Sequence, residues 1–335
     1  MPRKTIAVLM ALALTATSTV VLAEVYDLPP DGSDVVGAVT TVTAREDDTL
    51  LDIARRHGLG YEDIVRANPD VDTWLPGEGT EVVLPTRYVL PPGPRAGVVL
   101  NLAEYRLYYY PTPKAGEQAV VMTYPISIGR MDWETPLGRT SIISKVTDPS
   151  WYPPESIRAE HAADGDPLPR VVPPGPDNPL GKHAMRLGLP GYLIHGTNRP
   201  DGVGMRVTHG CIRMFPEDID YLFGRVSVDT AVRIINEPVK VGWNGEELFV
   251  EVHATLEMAP PEIESAETSE EGEPDTPPAP RDAMTALTQQ FVAATNERPG
   301  MLDWDVAELL LDRADGIPRP AGRKIKDAAT SAASE

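Results

Sequence analysis

Thr208-His209-Gly210-Cys211-Ile212-Arg213-Met214 decides how this chain is read, together with Ile194-His195-Gly196-Thr197 upstream. Cys211 is the only cysteine in 335 residues. It has no internal disulfide partner, so another reason must account for it. A thiol becomes a nucleophile when a nearby base or positive environment generates the thiolate. His195 lies sixteen residues before Cys211 and His209 two before it, so two imidazoles accompany one thiol. His195 follows the apolar run Gly191-Tyr192-Leu193-Ile194, which places it at a strand end. Gly196 allows close backbone approach, and its carbonyl can fix the imidazole tautomer. His209-Gly210-Cys211 reads as a tight turn leading to a helix, with backbone N–H groups able to converge on one oxyanion. Thiolate, base and oxyanion pocket together describe acyl transfer through a thioester. The chemical rival is a zinc site built from His195, His209 and Cys211, for which no fourth ligand has suitable spacing. The bland reading is a buried, inert Cys211.

Composition narrows the class. The formal net charge is -20, which argues against nucleic acid as a partner, because phosphates need a basic patch. The 35 prolines point to loops, linkers and strand ends rather than a helical bundle. Arg3 and Lys4, then the apolar stretch from Ile6 to Leu14 and Val21-Leu22-Ala23, read as a secretory signal peptide over 1–23. That predicts a mature chain starting near Glu24 in a bacterial periplasm. The residue directly after the expected cleavage site is Glu24 rather than a cysteine, and no second long apolar run exists, so neither a lipid anchor nor a transmembrane anchor is expected after cleavage.

The expected architecture is mainly β. Residues 39–86 read as strand, helix, helix, strand. Val39 to Thr43 alternates, Asp47-Asp48-Thr49 caps a helix carrying Leu50, Ile53 and Ala54, and Gly58 ends it. Tyr61 to Ala67 forms a second helix stopped by Asn68-Pro69, and Glu81 to Pro85 closes the unit. Residues 95–238 carry strand patterns at 98–102, 105–109, 119–124, 140–145 and 230–235, with a helix at 216–223. Residues 239–258 extend the strands. A linker over 259–281 holds six prolines and many glutamates. Residues 282–335 read as a tail with short helices, split by Pro299-Gly300.

Two resemblances rest on these residues. Asp48-Thr49-Leu50, Ile53-Ala54, Ile64 with Asn68, Leu75-Pro76-Gly77 and Val83-Leu84-Pro85 resemble a LysM module, although Asp47 stands where glycine is common and Thr41 replaces an aromatic. That likeness implies binding to N-acetylglucosamine-containing glycan. The His195 and Cys211 motifs resemble the L,D-transpeptidase (YkuD-like) β-sandwich catalytic domain. Thr135-Pro136-Leu137-Gly138, Lys145, the run Pro149 to Pro154 and Asn178-Pro179-Leu180-Gly181 agree with it. The module order is similar to the periplasmic branch that attaches lipoprotein to peptidoglycan.

The resemblance implies roles. Cys211 is the nucleophile, His195 the base, and His209 supports the thiolate or orients the turn. Gly210 and Gly196 shape the oxyanion and orienting backbone. Arg213, Thr208 and Thr197 bind substrate, with Arg213 offered to a carboxylate by its forked geometry. No metal and no cofactor are required. The partners implied are peptidoglycan stem peptides and glycan strands, and a lysine-ending outer-membrane lipoprotein as one acceptor. Water as acceptor gives an L,D-carboxypeptidase. A non-catalytic wall-binding protein is the reading from another class.

Overall fold

The computed structural model describes residues 24–130, 133–256 and 282–325. The signal peptide expected over 1–23 and the whole expected linker over 259–281 lie outside these residues. The N-terminal part runs β1 (Glu24–Asp27), β2 (Val35–Thr43), α1 (Leu50–Arg56), α2 (Tyr61–Ala67) and β3 (Glu81–Val89). Then follow β4 (Gly97–Asn101), β5 (Arg106–Tyr110), β6 (Val120–Pro125), β7 (Ile128–Gly129), β8 (Gly138–Thr147) and α3 (Glu155–Ala163). The same part continues through β9 (His183–Leu187), β10 (Leu193–His195), β11 (Arg206–Thr208), β12 (Ile212–Arg213), α4 (Pro216–Phe223) and β13 (Ala231–Ile235). The C-terminal part is β14 (Val239–Asn244), β15 (Glu247–Val252), α5 (Ala283–Thr295), β16 (Gly300–Leu302), α6 (Trp304–Arg313) and β17 (Arg319–Lys324).

The strand, helix, helix, strand order of the N-terminal unit matches its sequence pattern. Thr49 caps α1, and its side chain accepts from the Asp52 N–H while the Asp52 carboxylate accepts from the Thr49 N–H. Leu50, Ile53, Ala54 and Ile64 turn inward onto Val82 and Leu84. The Asn68 amide donates to the Ile64 and Val83 carbonyls and accepts the Val83 N–H, tying the end of α2 to β3. The strand pair is longer than the patterning predicts, running from Val35↔Val89 to Thr43↔Glu81. The additional residues are held by tertiary burial. Val36 and Tyr88 pack with Val99 and Tyr108, and Val35 and Val89 with Phe249.

The central part is one nine-stranded mixed sheet in the order β1-β6-β5-β4-β13-β8-β9-β10-β12, beside a two-stranded β11-β7 pair. Its core gathers alternate residues of these strands, including Leu100, Leu107, Ile142, Met185, Ile194, Ile212 and Ile234, under Ile219 and Leu222 of α4. Lys145, part of the motif set, donates to the Phe223 and Val226 carbonyls at 2.6 and 2.7 Å and so holds the end of α4.

The C-terminal residues differ from the expected tail. Residues 283–324 return onto β14 and β15, giving a four-stranded sheet ordered β14-β15-β17-β16 with α5 and α6 on it. Leu287, Leu302 and Leu310 are buried with Val239, Val250 and Val252. Of the Leu309-Leu310-Leu311 run, Leu310 enters this core while Leu309 is exposed. β17 reads Arg-Pro-Ala-Gly-Arg-Lys, with Ala321 its only buried residue. It has no apolar alternation, and backbone pairing to β15 and β16 makes it a strand. Among the described residues, no helix is long and apolar enough to cross a membrane.

The three parts meet at a buried ion cluster. Lys240 of β14 contacts Glu104 of the central part and lies 2.9 Å from Glu251 of β15. Glu251 also meets His253 Nε2 at 2.7 Å and accepts the Val89 N–H of β3 at 2.6 Å.

Candidate active site

β10 and β12 are parallel neighbours in register, Ile194 opposite Ile212 and His195 opposite Arg213. Strand side chains alternate, so Ile194 and Ile212 enter the core while His195 and Arg213 share the other face. Cys211 precedes Ile212 and falls on that same face. Neighbouring strands lie about 4.8 Å apart and alternate residues about 6.7 Å, and the Arg213 guanidinium acts electrostatically on both the His195 imidazole and the Cys211 thiol.

Each group is tuned by its surroundings. His195 Nδ1 lies 2.6 Å from the Gly196 carbonyl. That carbonyl accepts only from an N–H, so Nδ1 carries the proton and Nε2 is left as the basic atom. Burial disfavours the imidazolium, and Arg213 repels it further, so the His195 pKa is brought down to about 4. Burial pushes the Cys211 thiol up, against the Leu193 N–H and Arg213, which favour the thiolate. At neutral pH the resting pair is therefore thiol and neutral imidazole. The expected pH profile of kcat/KM is a broad bell. Below about pH 4 the base is protonated and the rate falls roughly tenfold per unit. The alkaline limb lies above the ordinary thiol range. Stopped assays across pH 3 to about 10 check this, and an acid limb near about 6.5 would mean a solvated His195.

The turn before Cys211 is fastened on its carbonyl side. Thr208 Oγ1 donates to the Cys211 carbonyl at 2.6 Å, and Thr135 Oγ1 to the Gly210 carbonyl at 2.8 Å. Gly210 sits at φ +93, and a Cβ there would meet the Tyr192 ring at 2.8 Å, so only glycine fits. Gly196 is less tightly enclosed, with Ile219 3.1 Å from where a Cβ would stand. Thr197 Oγ1 accepts the Arg199 N–H at 2.9 Å. Thr208 and Thr197 are thus turn-forming residues here, both buried, rather than open substrate contacts.

His209 is engaged by α3 and Trp133. Its Nε2 lies 2.9 Å from Glu160 of α3, whose other oxygen accepts from Arg130 at 2.8 Å. Trp133 packs edge-on against the His209 ring at 5.2 Å. Of the two roles the sequence left open, the geometry favours orienting the turn. Glu160 was missed by the sequence reading. It sits some fifty residues upstream in an exposed helix with no motif around it, so only tertiary structure reveals it. Glu160→Ala is expected to lower kcat roughly tenfold by releasing the turn, with little change in melting temperature, because partly exposed ion pairs add little stability. Steady-state kinetics beside a thermal melt checks both halves.

Arg213 has a buried Nε without a hydrogen-bond partner and, among the described residues, no acidic group in ion-pair reach. Burial lowers its pKa, and Arg199 lowers it further. A buried guanidinium in this state is prepared for an incoming carboxylate. The zinc alternative lacks a geometric basis. Among the described residues the donor atoms of His195, His209 and Cys211 do not converge. Only Glu104, Glu251 and His253 do, and the Lys240 ammonium lies among them. Asn178, fully buried, donates to the Pro149 carbonyl at 2.8 Å and holds the 149–181 loop, while Tyr152 is exposed.

A thiol, an imidazole base and an unpaired arginine on adjacent strands are the equipment of a cysteine-nucleophile enzyme acting on a carboxylate-bearing substrate. Residues 95–234 match the YkuD family, an L,D-transpeptidase catalytic domain. The chain is 44% identical to the probable L,D-transpeptidase YcfS of Escherichia coli K12, over 75% of this chain and 78% of that protein. It is 41% identical to the probable L,D-transpeptidase YbiS of the same strain, over 77% and 84%. It is 43% identical to the probable L,D-transpeptidase ErfK/SrfK of Salmonella typhimurium, over 73% and 79%. The chain belongs to the L,D-transpeptidase family and is an enzyme of that kind. Among solved structures it is similar to the catalytic domain of an Enterococcus faecium L,D-transpeptidase, 23% identical with a TM-score of 0.31, covering 42% of this chain and 96% of that one.

Proposed function

We propose that this enzyme transfers peptidoglycan stem peptides through a thioester on Cys211. The observation that carries the reading is the registered face of β10 and β12, with His195 opposite Arg213 and Cys211 beside them. The donor is a tetrapeptide stem. Cys211 Sγ bonds to the carbonyl at the L-centre of diaminopimelate, and the peptide bond to the terminal D-alanine breaks. The thiol proton passes to His195 Nε2 and on to the leaving amine. The Gly210 and Cys211 amides hold the oxyanion, and Arg213 pairs with a substrate carboxylate. An amine then attacks the thioester, yields its proton to His195, and releases the thiol. A diaminopimelate side chain as acceptor gives a 3-3 cross-link. A lysine at a lipoprotein C-terminus gives attachment of that lipoprotein. The net charge of -20 favours approach of either cationic amine.

The N-terminal strand, helix, helix, strand unit is proposed as a LysM-like wall-binding module, and residues 1–23 as the signal that delivers the enzyme to the periplasm. The test is mass spectrometry of muropeptides after incubation with a disaccharide-tetrapeptide, with and without a lysine-ending lipoprotein peptide. A dimer or a conjugate lacking one D-alanine is the expected product and names the acceptor. Tripeptide alone would make the enzyme an L,D-carboxypeptidase. Unchanged tetrapeptide would leave the wall-binding reading in its place.

A further inference from the structure

The N-terminal unit is fixed against the wall of the active site. The first N–H groups of α2 donate across to the central part, Tyr61 to the Val203 carbonyl at 3.0 Å and Glu62 to the Gly204 carbonyl at 3.3 Å. Gly60 and Gly204 meet backbone to backbone, and a Cβ on Gly204 would stand 2.3 Å from the Tyr61 nitrogen. Arg55 of α1 grips Glu217 of α4 with two bonds, at 2.7 and 2.9 Å. Between these contacts lies a groove of about 210 Å³. The N-terminal unit supplies Thr49, Asp52 and Trp74 to it, and the catalytic part supplies Pro200, Asp201 and Phe215.

We propose that this shared groove binds an N-acetylated sugar of the glycan strand that carries the donor stem, so that the sugar and its own peptide are held at once. The inference rests on the peptidoglycan reading above. Three observations carry it. Trp74 is 59% exposed at the groove, a flat apolar face beside polar rims, which suits a sugar ring. Both walls bring a carboxylate, Asp52 and Asp201, while the Arg55 guanidinium is committed to Glu217; that favours a neutral ligand rich in donors over a phosphate. The groove also adjoins the reaction centre. Asp201 is next to Gly202, and the Arg213 guanidinium lies 3.4 Å from where a Gly202 Cβ would stand. Cys211 to Arg213 spans about 7 Å of strand. The attacked carbonyl belongs to the third stem residue, and three extended residues reach about 10 Å. A stem that runs from Cys211 past Arg213 is thereby directed toward the Asp201 wall of the groove.

The test uses the full mature chain and one variant on each wall, Trp74→Ala and Asp201→Trp, the second filling the groove from the catalytic side. Both positions are exposed, so neither substitution empties a core. Binding of an N-acetylglucosamine tetramer, read by tryptophan fluorescence and calorimetry, needs no turnover and stands even if the peptidoglycan chemistry fails. Expected is at least a fivefold loss of tetramer affinity in both variants. KM for a glycan-linked tetrapeptide should rise by a similar factor, with no matching rise for the free tetrapeptide. If Trp74→Ala weakens the tetramer and Asp201→Trp does not, the sugar sits on the N-terminal unit alone and the shared groove is overturned. Equal losses on glycan-linked and free donors, or no tetramer binding by the unaltered chain, also overturn it.

Discussion

Cys211→Ala is expected to lower kcat/KM by roughly 10^4-fold while the protein stays folded. The thiol is the nucleophile of the proposed thioester route, and its proton is the one that His195 passes to the leaving amine. The fold tolerates the change because the Cys211 thiol donates only one weak hydrogen bond, to the Gly191 carbonyl at 3.6 Å, and alanine keeps the backbone of the turn. Thr208 and Thr135 still hold the carbonyls on either side of it. Cys211→Ser should be nearly as inactive. A serine hydroxyl is far less acidic than a thiol, and a base whose pKa is about 4 is too weak to take its proton. His195→Ala should cost a similar factor, and the double variant little more, because base and nucleophile act as one unit. Product yield by mass spectrometry beside circular dichroism decides it. Turnover near the normal level in folded Cys211→Ala removes the thioester mechanism.

The parts of the site that were legible in the sequence are local in the chain. His195-Gly196 and His209-Gly210-Cys211 carry their own geometry, because a glycine beside each functional group fixes where the backbone turns. The N-terminal unit was legible because its caps and helix periods are local as well. What stayed hidden depends on distant partners. Glu160 reaches His209 from α3, and nothing in its neighbourhood marks it. The hydroxyls of Thr208 and Thr197 were read as substrate contacts, and the structure engages them in turns whose other members are Cys211 and Arg199. The C-terminal sheet was hidden for a different reason. Its strand β17 is stabilised by pairing and not by an apolar face, and the chain reaches it only after the long Pro/Glu-rich stretch.

Lys240→Met is expected to destabilise the protein by about 3–5 kcal/mol, the usual result of removing one partner from a fully buried ion pair. Lys240 and Glu251 are both fully buried. Burial opposes the Glu251 charge, but Lys240 and then His253 outweigh it and hold its carboxyl down at about 2. Glu104, beside the same lysine, is pushed up by burial. In the native protein this depressed pKa contributes stability that is present above about pH 4.5 and is lost as pH falls toward about 2. Without Lys240 the sign reverses. Glu251 then resists ionisation, so the variant loses stability as pH rises through the carboxylate range. The gap between the two proteins should therefore be smaller near pH 4 than near about pH 7, and close only as pH falls toward about 2. Lys240→Met with Glu251→Gln should be less destabilised than Lys240→Met alone, because no buried charge is then left unpaired. Urea unfolding of the three proteins at both pH values measures this. Glu251 also accepts the Val89 N–H, so the cluster joins the N-terminal strands and the C-terminal sheet to the catalytic part. Loss of Lys240 should therefore split a single unfolding transition into two. A native-like single transition with an unchanged midpoint would mean that the cluster does not couple the three parts.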